Sequence, residues 1–332
     1  MMIKMLFLWL FLIGLCVFSL GVGRYAISWE QIACFVMQWF GANQCMQGGL
    51  ENQIILNLRL PRIVLGVFVG LGLGASGASF QSVFKNPLAT PDILGVTSGA
   101  SFGAVLGLLL GLGKLGMIAT SLGFGFLALG LAVLIARGSE GYGTIMLVLG
   151  GIVVSALFQS FLSLIKYVAD PQDVLPAITY WLLGSLQVSG LSEIYLGIIG
   201  ICAGSVLIYL FSWRLNILAL DDDEARSLGI CLSGYRALFI GASTLIVVFV
   251  VSMCGLIGWV GLLIPHIARL LCGSNNAKVI PLSLVLGAIF MVLIDLLART
   301  LSAEEIPVSI LSALVGAPFF IYILKINKGM RL

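Results

Sequence analysis

The chain has 332 residues, a formal net charge of +3, 60% hydrophobic and 9% charged residues, and a mean hydropathy of +1.16. So few polar side chains cannot cover a water-facing surface, which excludes an ordinary soluble globular protein. The apolar residues come in long blocks that fit α-helices crossing about 30 Å of hydrocarbon, not in the short alternating segments of a β-barrel.

In chain order, the pattern predicts spans at roughly 5–23, 56–83, 93–112, 116–136, 144–166, 192–212, 235–254, 256–272, 279–298 and 308–325. The first follows Lys4 and runs to about Gly23 without a small-x-small cleavage site, so it reads as a span and not as a cleaved leader. The loop after it carries Cys34 and Cys45, whose pairing the spacing leaves open. In the second span Gly66, Gly70, Gly74 and Ala78 recur every four residues, which lets another backbone approach closely. Plain packing fits this face, as does a pore-lining or dimer role; on either reading the span is expected inside the bundle. After the fifth span, "ADPQDVLPAITYWLLGSLQ" predicts a short helix lying outside the membrane or re-entering it.

A break at about residues 170–190 divides the chain into pseudo-halves of about 1–170 and 190–332 within one transmembrane domain, 1–332. Five spans per half, an odd number, give the second half the opposite orientation, as in inverted repeats. Ten spans put both termini on one side. That side receives Lys4, Lys85, Arg137, Arg214, Arg226, Arg236, Arg269, Lys278, Lys325, Lys328 and Arg331; the other receives Arg24, Arg59, Arg62, Lys114, Lys166 and Arg299. Eleven basic residues against six place the termini in the cytoplasm by the positive-inside rule.

The loop after the sixth span, about 213–234, contains "LALDDDEARSLGI". Four consecutive acids, Asp221 to Glu224, are unusual in a chain with only 14. Asp221 and Glu224 have capping-box spacing, acids in a first turn suit the helix dipole, and Gly229 can end the helix. The pattern predicts a helix of about two turns, marginal alone, whose Leu220, Ala225, Leu228 and Ile230 need a surface to dock on. A solvated acidic loop is the competing reading.

Residues that carry catalysis are scarce. The single histidine, His266, lies in an apolar segment, no metal-ligand cluster is visible, and "LGKL" at 112–115 lacks the glycine and hydroxyl of a phosphate-binding loop. Asp295, the one candidate intramembrane acid, precedes Arg299 by four residues, the spacing of an ordinary helical ion pair. Energy from ATP would therefore have to come from another polypeptide.

Four stretches together resemble the FecCD family of ABC importer permeases: Arg59 to Ser101, "LALDDDEARSLGI", "GLIGWVGLLIPHIARLL" from Gly255, and "DLLARTLSAEEIPVSILSALVGAPFFIYIL" from Asp295. The resemblance implies an all-α polytopic membrane protein of the type II fold, with ten transmembrane helices in two inverted five-helix halves. It implies a homodimer in the bacterial inner membrane, with two cytoplasmic ATPase subunits and a substrate-binding protein outside; lipid surrounds it, and nucleic acid has no part. This chain would bind no cofactor, with ATP and Mg on the partner ATPase.

By the same resemblance Leu218, Leu220, Asp221, Asp222, Asp223, Glu224, Ala225, Arg226, Leu228 and Gly229 form the ATPase-coupling segment. Asp221 departs from the family's usual glycine. Arg59, Arg62 and Arg299 match positions where external arginines receive carboxylates of the binding protein, although interfacial anchoring also fits them. Asn86, Pro87, Leu88, Gly143 and Thr144 match the cytoplasmic gate. The expected cargo is a metal chelate, an Fe(III)-siderophore first and haem or vitamin B12 next. An ion-gradient-driven secondary transporter is the rival from another class, and a membrane enzyme is disfavoured by the lack of clustered catalytic side chains.

Overall fold

The computed structural model describes residues 2–25, 27–38, 49–137, 143–227, 229, 231–302 and 304–327. Among the described residues every regular element is helical. Among these described residues six helices are long and apolar enough to cross a membrane by length and composition, and four shorter apolar helices accompany them.

Helix α1 (Met2–Gly21) leads to α2 (Trp29–Gln38), an amphipathic helix whose Ile32 and Phe35 pack with Leu20, Ile55 and Ile63. Helix α3 (Leu50–Ile54) passes through a π turn at Ile55–Arg59 into α4 (Leu60–Val83). Pro61 has no N–H to give to the preceding turn, so the ladder widens there without breaking. The span thus begins earlier than its apolar stretch predicts. A 3-10 turn at Pro91–Leu94 precedes α5 (Val96–Leu109), followed by α6 (Gly113–Ala136) and α7 (Gly143–Val168).

The Pro-marked stretch after α7 does form a helix, α8 (Val174–Leu182), with Ile178 and Leu182 packed against Val105, Leu162 and Ile165. The second half comprises α9 (Tyr195–Leu210), the short α10 (Arg214–Leu218) and α11 (Asp222–Ser227), then α12 (Leu232–Cys254), α13 (Val260–Cys272), α14 (Asn276–Thr300) and α15 (Val308–Asn327). The face where α1 starts and α15 ends is called the terminal face below, and its opposite the far face.

Helix α4 lies inside the bundle, as its glycines predict. A Cβ at Gly70 or Gly74 would collide with the carbonyl oxygens of Gly287 and Ser283 in α14, and one at Gly77 with that of Gly261 in α13. Gly66 instead faces the Leu186 side chain. Close packing therefore accounts for this face.

The third long helix of each half is short, and each is entered by irregular backbone. Residues 84–95 carry the chain back from the terminal face before α5, with Gly95 at φ +76°. Residues 255–259 carry it inward from the far face before α13, with Gly255 at φ +68° and Trp259 at φ +71°. The apolar run at 256–259 was expected to be helical. Part of its backbone is satisfied by the flanking helices: Gly255 N donates to Val251 O at 2.9 Å, and Leu263 N to Trp259 O at 2.8 Å. Within a bundle that excludes water, such backbone persists only where protein groups satisfy it.

Candidate functional site

At the terminal face the acidic run folds as α11, helical over the described residues Asp222–Ser227, close to the two turns its pattern predicts. Ala225 N donates to Asp221 O at 2.9 Å, and Gly229 takes φ +71° beyond the helix, as a terminating glycine does. Leu215, Leu218 and Ala225 are buried in the main core, so part of the apolar face docks on α10 and α12 of the same chain. Leu220 is exposed, against the expectation that it docks like Ala225. Leu228, Ile230 and the Arg226 side chain fall outside the described residues.

Asp222 joins three elements. Its Oδ1 accepts from Arg236 of α12 at 2.7 Å and from Lys85, just past α4, at 3.2 Å. The Arg236 bond, helped by that of Lys85, holds the carboxyl below the usual aspartate range although burial opposes it. Lys85 sits at φ +50°, and the bonds Lys85 N to Ser82 O and Asn86 N to Gln81 O close the end of α4 in the way a glycine usually does. A lysine there is disfavoured sterically. The ion pair gives it a role that glycine could not fill.

Next along the chain, Asn86 accepts from Leu88 N at 2.9 Å, which fixes the turn, while Leu88 is exposed. Gly143 starts α7, and Thr144 lines a cavity of about 500 Å3 together with Phe84, Cys231 and Arg236. The two predicted gate segments therefore both border the region where Asp222 is tied. Further polar contacts, unread in the sequence, extend the region. Asn216 of α10 accepts from Asn276 N at 2.7 Å and donates to Asn275 at 3.1 Å, while Ser82 donates to Asn276 at 2.8 Å and accepts from Arg269 at 3.1 Å. Arg269 also bonds Gln81. Arg214 of α10 also lies 5.1 Å over the Tyr235 ring of α12.

The far face departs from expectation. Arg59, Arg62 and Arg299 are only 6%, 6% and 7% exposed, where external docking required them at the surface. Internal acceptors draw them in. Asp295, 1% exposed, accepts from Arg62 Nε at 2.5 Å and from Arg299 Nε at 3.0 Å, so the helical pair read in the sequence has a second cation. Arg62 reaches Glu305 at 2.7 Å, Arg299 reaches Ser19 Oγ at 2.5 Å and Val22 O at 3.1 Å, and Arg59 bonds Leu20 O at 2.5 Å and also Tyr25 O. The three guanidiniums line a cavity of about 230 Å3, beside which Arg24 is exposed.

Between the faces, the two broken entries meet. Thr90, Asp92 and Thr97 of the first and Gly258, Trp259 and Leu262 around the second border one small cavity of about 30 Å3, with Leu73 about midway along α4. Asp92 was missed because it lies just before the third predicted span. The proline beside it and the glycine at 95 are the signals that mark the break. The Cys34–Cys45 question lies outside the described residues, because Cys45 is not among them. No group of His, Cys, Asp and Glu suited to holding a metal occurs among the described residues.

Comparison with known proteins follows this geometry. The model of the FecCD transport family matches residues 10–325. The chain is 40% identical to the molybdate import system permease protein MolB of Haemophilus influenzae, over 98% of this chain and 97% of that protein. It is 36% identical to a permease protein of Helicobacter pylori named for iron chelatin transport, over 91% of each. Among solved structures it is similar to an ABC transporter described as of metal-chelate type, in an inward-facing conformation, with a TM-score of 0.88, 38% identity, and coverage of 98% of this chain and 99% of that one.

Proposed function

This chain belongs to the FecCD transport family of multi-pass ABC importer permeases, and from that premise we propose that it carries a metal chelate, an Fe(III)-siderophore first, from the periplasm to the cytoplasm as a homodimer. The terminal face is cytoplasmic and receives two ATPase subunits, which bind ATP and Mg; this chain contributes transport and no catalysis, and holds no cofactor. The whole chain acts as one transmembrane domain of two inverted halves.

The observation that carries the coupling role is Asp222 bonded at once to Lys85 and Arg236. A push on α11 reaches the end of α4 and the start of α12 through direct charge contacts. Lys85 adjoins Asn86, Pro87 and Leu88, so the same push is delivered to one side of the gate, while Thr144 and Gly143 form its other side. Asp223 and Glu224 are exposed and meet a basic rim of the ATPase. Small and apolar gate groups suit repeated opening, since no strong bond must break.

On the far face, the binding protein docks over the arginine-lined cavity. Arg59, Arg62 and Arg299 supply positive potential from beneath, partly balanced by Asp295 and Glu305, and exposed Arg24 meets carboxylates directly. A second reading, import of an oxyanion, is favoured by the 40% identity to a molybdate permease. Haem and vitamin B12 remain further alternatives within the family.

The deciding experiment is uptake into proteoliposomes containing this chain, with and without the ATPase and binding protein, using ferric siderophores, haem, cobalamin and molybdate in turn. Import of a ferric siderophore only with ATP and ATPase is the expected result. Import of molybdate alone would replace the cargo, and uptake by the chain alone, abolished by collapsing an ion gradient, would replace the importer reading with a secondary transporter.

A further inference from the structure

We infer that Asp92 is a charge-selective element of the permeation path, one that disfavours anionic cargo where the two broken segments meet. The inference rests on the importer reading and sharpens its substrate class. Three observations carry it. Asp92 is exposed although its neighbours in space are Leu73, midway along α4, and residues of α12, so its carboxylate faces an opening at depth and not the surface of a loop. Its side chain is held by hydroxyls, with Thr97 Oγ1 donating to Oδ1 and Thr90 also bonded, and among the described residues no cation is ion-paired to it. Across the same cavity stand Gly258 and Trp259 of the other half's broken segment.

In secondary transporters, matching interruptions in corresponding helices of two inverted halves are where cargo is handled, and the two broken entries here have the same placement. Helices α5 and α13 both start at this level, and helix starts attract anions. Ionised, Asp92 places a negative charge there instead. An oxyanion passing this point meets a carboxylate rather than open helix ends, whereas a cationic or neutral chelate does not meet that repulsion. Polar groups continue the same side, since Gln159 of α7, which is exposed, donates to half-buried Ser98 of α5 at 3.3 Å. An exposed amide so far along a spanning helix fits a water-filled path better than lipid.

The test places a thiol on the opposite wall and reads charge preference without needing the natural cargo. A Cβ at Gly258 has open space, so Gly258→Cys is tolerated sterically, and it is made together with Cys231→Ser because Cys231 is exposed. The purified full chain in detergent is labelled with a trimethylammonium-bearing or a sulfonate-bearing methanethiosulfonate reagent; the same chain without the added cysteine sets the background. The cationic reagent is expected to react roughly tenfold faster, a usual size for charge focusing in a cleft. Asp92→Asn keeps an acceptor for Thr97 and should bring the two rates together, while Asp92→Glu should preserve the preference; Asp92→Ser serves if the asparagine variant does not fold. Equal rates with Asp92 present, a ratio unchanged by neutralising it, or no labelling of the folded protein by either reagent would each overturn the inference. ATP-independent uptake would remove the importer reading while leaving these thiol rates as they are, so the two failures are distinguishable.

Discussion

The two faces of the bundle use one chemical device, a single carboxylate between two cations, in opposite surroundings. At the far face Asp295 is 1% exposed and holds Arg62 and Arg299 in a site from which water is nearly excluded. At the terminal face Asp222 holds Lys85 and Arg236 with the side chains between a quarter and two-fifths exposed. In the buried site, loss of the carboxylate leaves Arg299 with neutral acceptors only and Arg62 with Glu305 alone, so that site locks α1, α4 and α14 together. In the open one, water and salt take over whenever the pair separates, so it can be made and broken repeatedly. The same device is thus suited to fixation at one end and to motion at the other, and burial decides which.

The comparison breaks most visibly at Asp295. Asp295→Ala is expected to destabilise the protein by about 3–5 kcal/mol, the usual consequence of orphaning buried charge, read as a lowered thermal midpoint and poor recovery of folded protein in detergent. An unchanged midpoint would mean that water reaches the cluster and that the two faces are alike. Next in size, Gly77→Ala, in the helix that joins the faces, should cost about 1–3 kcal/mol by overpacking against Gly261, with the same readout.

Asp222→Asn should cost under about 1 kcal/mol of stability, since each pair is partly exposed, yet lower the transport obtained per ATP hydrolysed. Asp222→Glu, which keeps the charge for both Lys85 and Arg236, should retain part of it. Equal coupling in all three would remove the proposed link to the gate. The smallest effect concerns conditions. Because the folded-state pKa of Asp222 is depressed, by the Arg236 bond first, its contribution is present above the ordinary aspartate value of about 3.9 and is lost as pH falls through the depressed value. At neutral pH, added salt should likewise loosen α11, seen as faster amide exchange there, and leave the end of α14 unaffected.

Much of the fold was legible because crossing a membrane imposes length and hydropathy on each helix, and the ten apolar runs could be counted. Helix starts were less legible where backbone geometry overrides composition. Residues 256–259 read as apolar and helical, but the positive φ at Gly255 and Trp259 delays α13, and the π turn at Ile55–Arg59 advances the start of the second span. At the site, the acidic run and the turn at Asn86 were visible as local patterns. Lys85 and Arg236 were not linked to Asp222, since they lie 137 and 14 residues from it and nothing local marks the pairing. The inward turn of the three arginines was hidden for a related reason: Glu305 and the carbonyls of Leu20, Val22 and Tyr25 become acceptors only once α1, α4 and α14 converge.

The glycine contacts along α4 have a mechanical meaning. With backbone against backbone at Gly70–Gly287, Gly74–Ser283 and Gly77–Gly261, no layer of side chains lies between α4 and α13 or α14 at these points to slide or change rotamer. Helices α4, α13 and α14 are therefore expected to move as one rigid lever, with the flexing at its joints, in the turn at Lys85 and the irregular entries to α5 and α13. Such a lever carries a displacement imposed at one face to the other with little loss along its length.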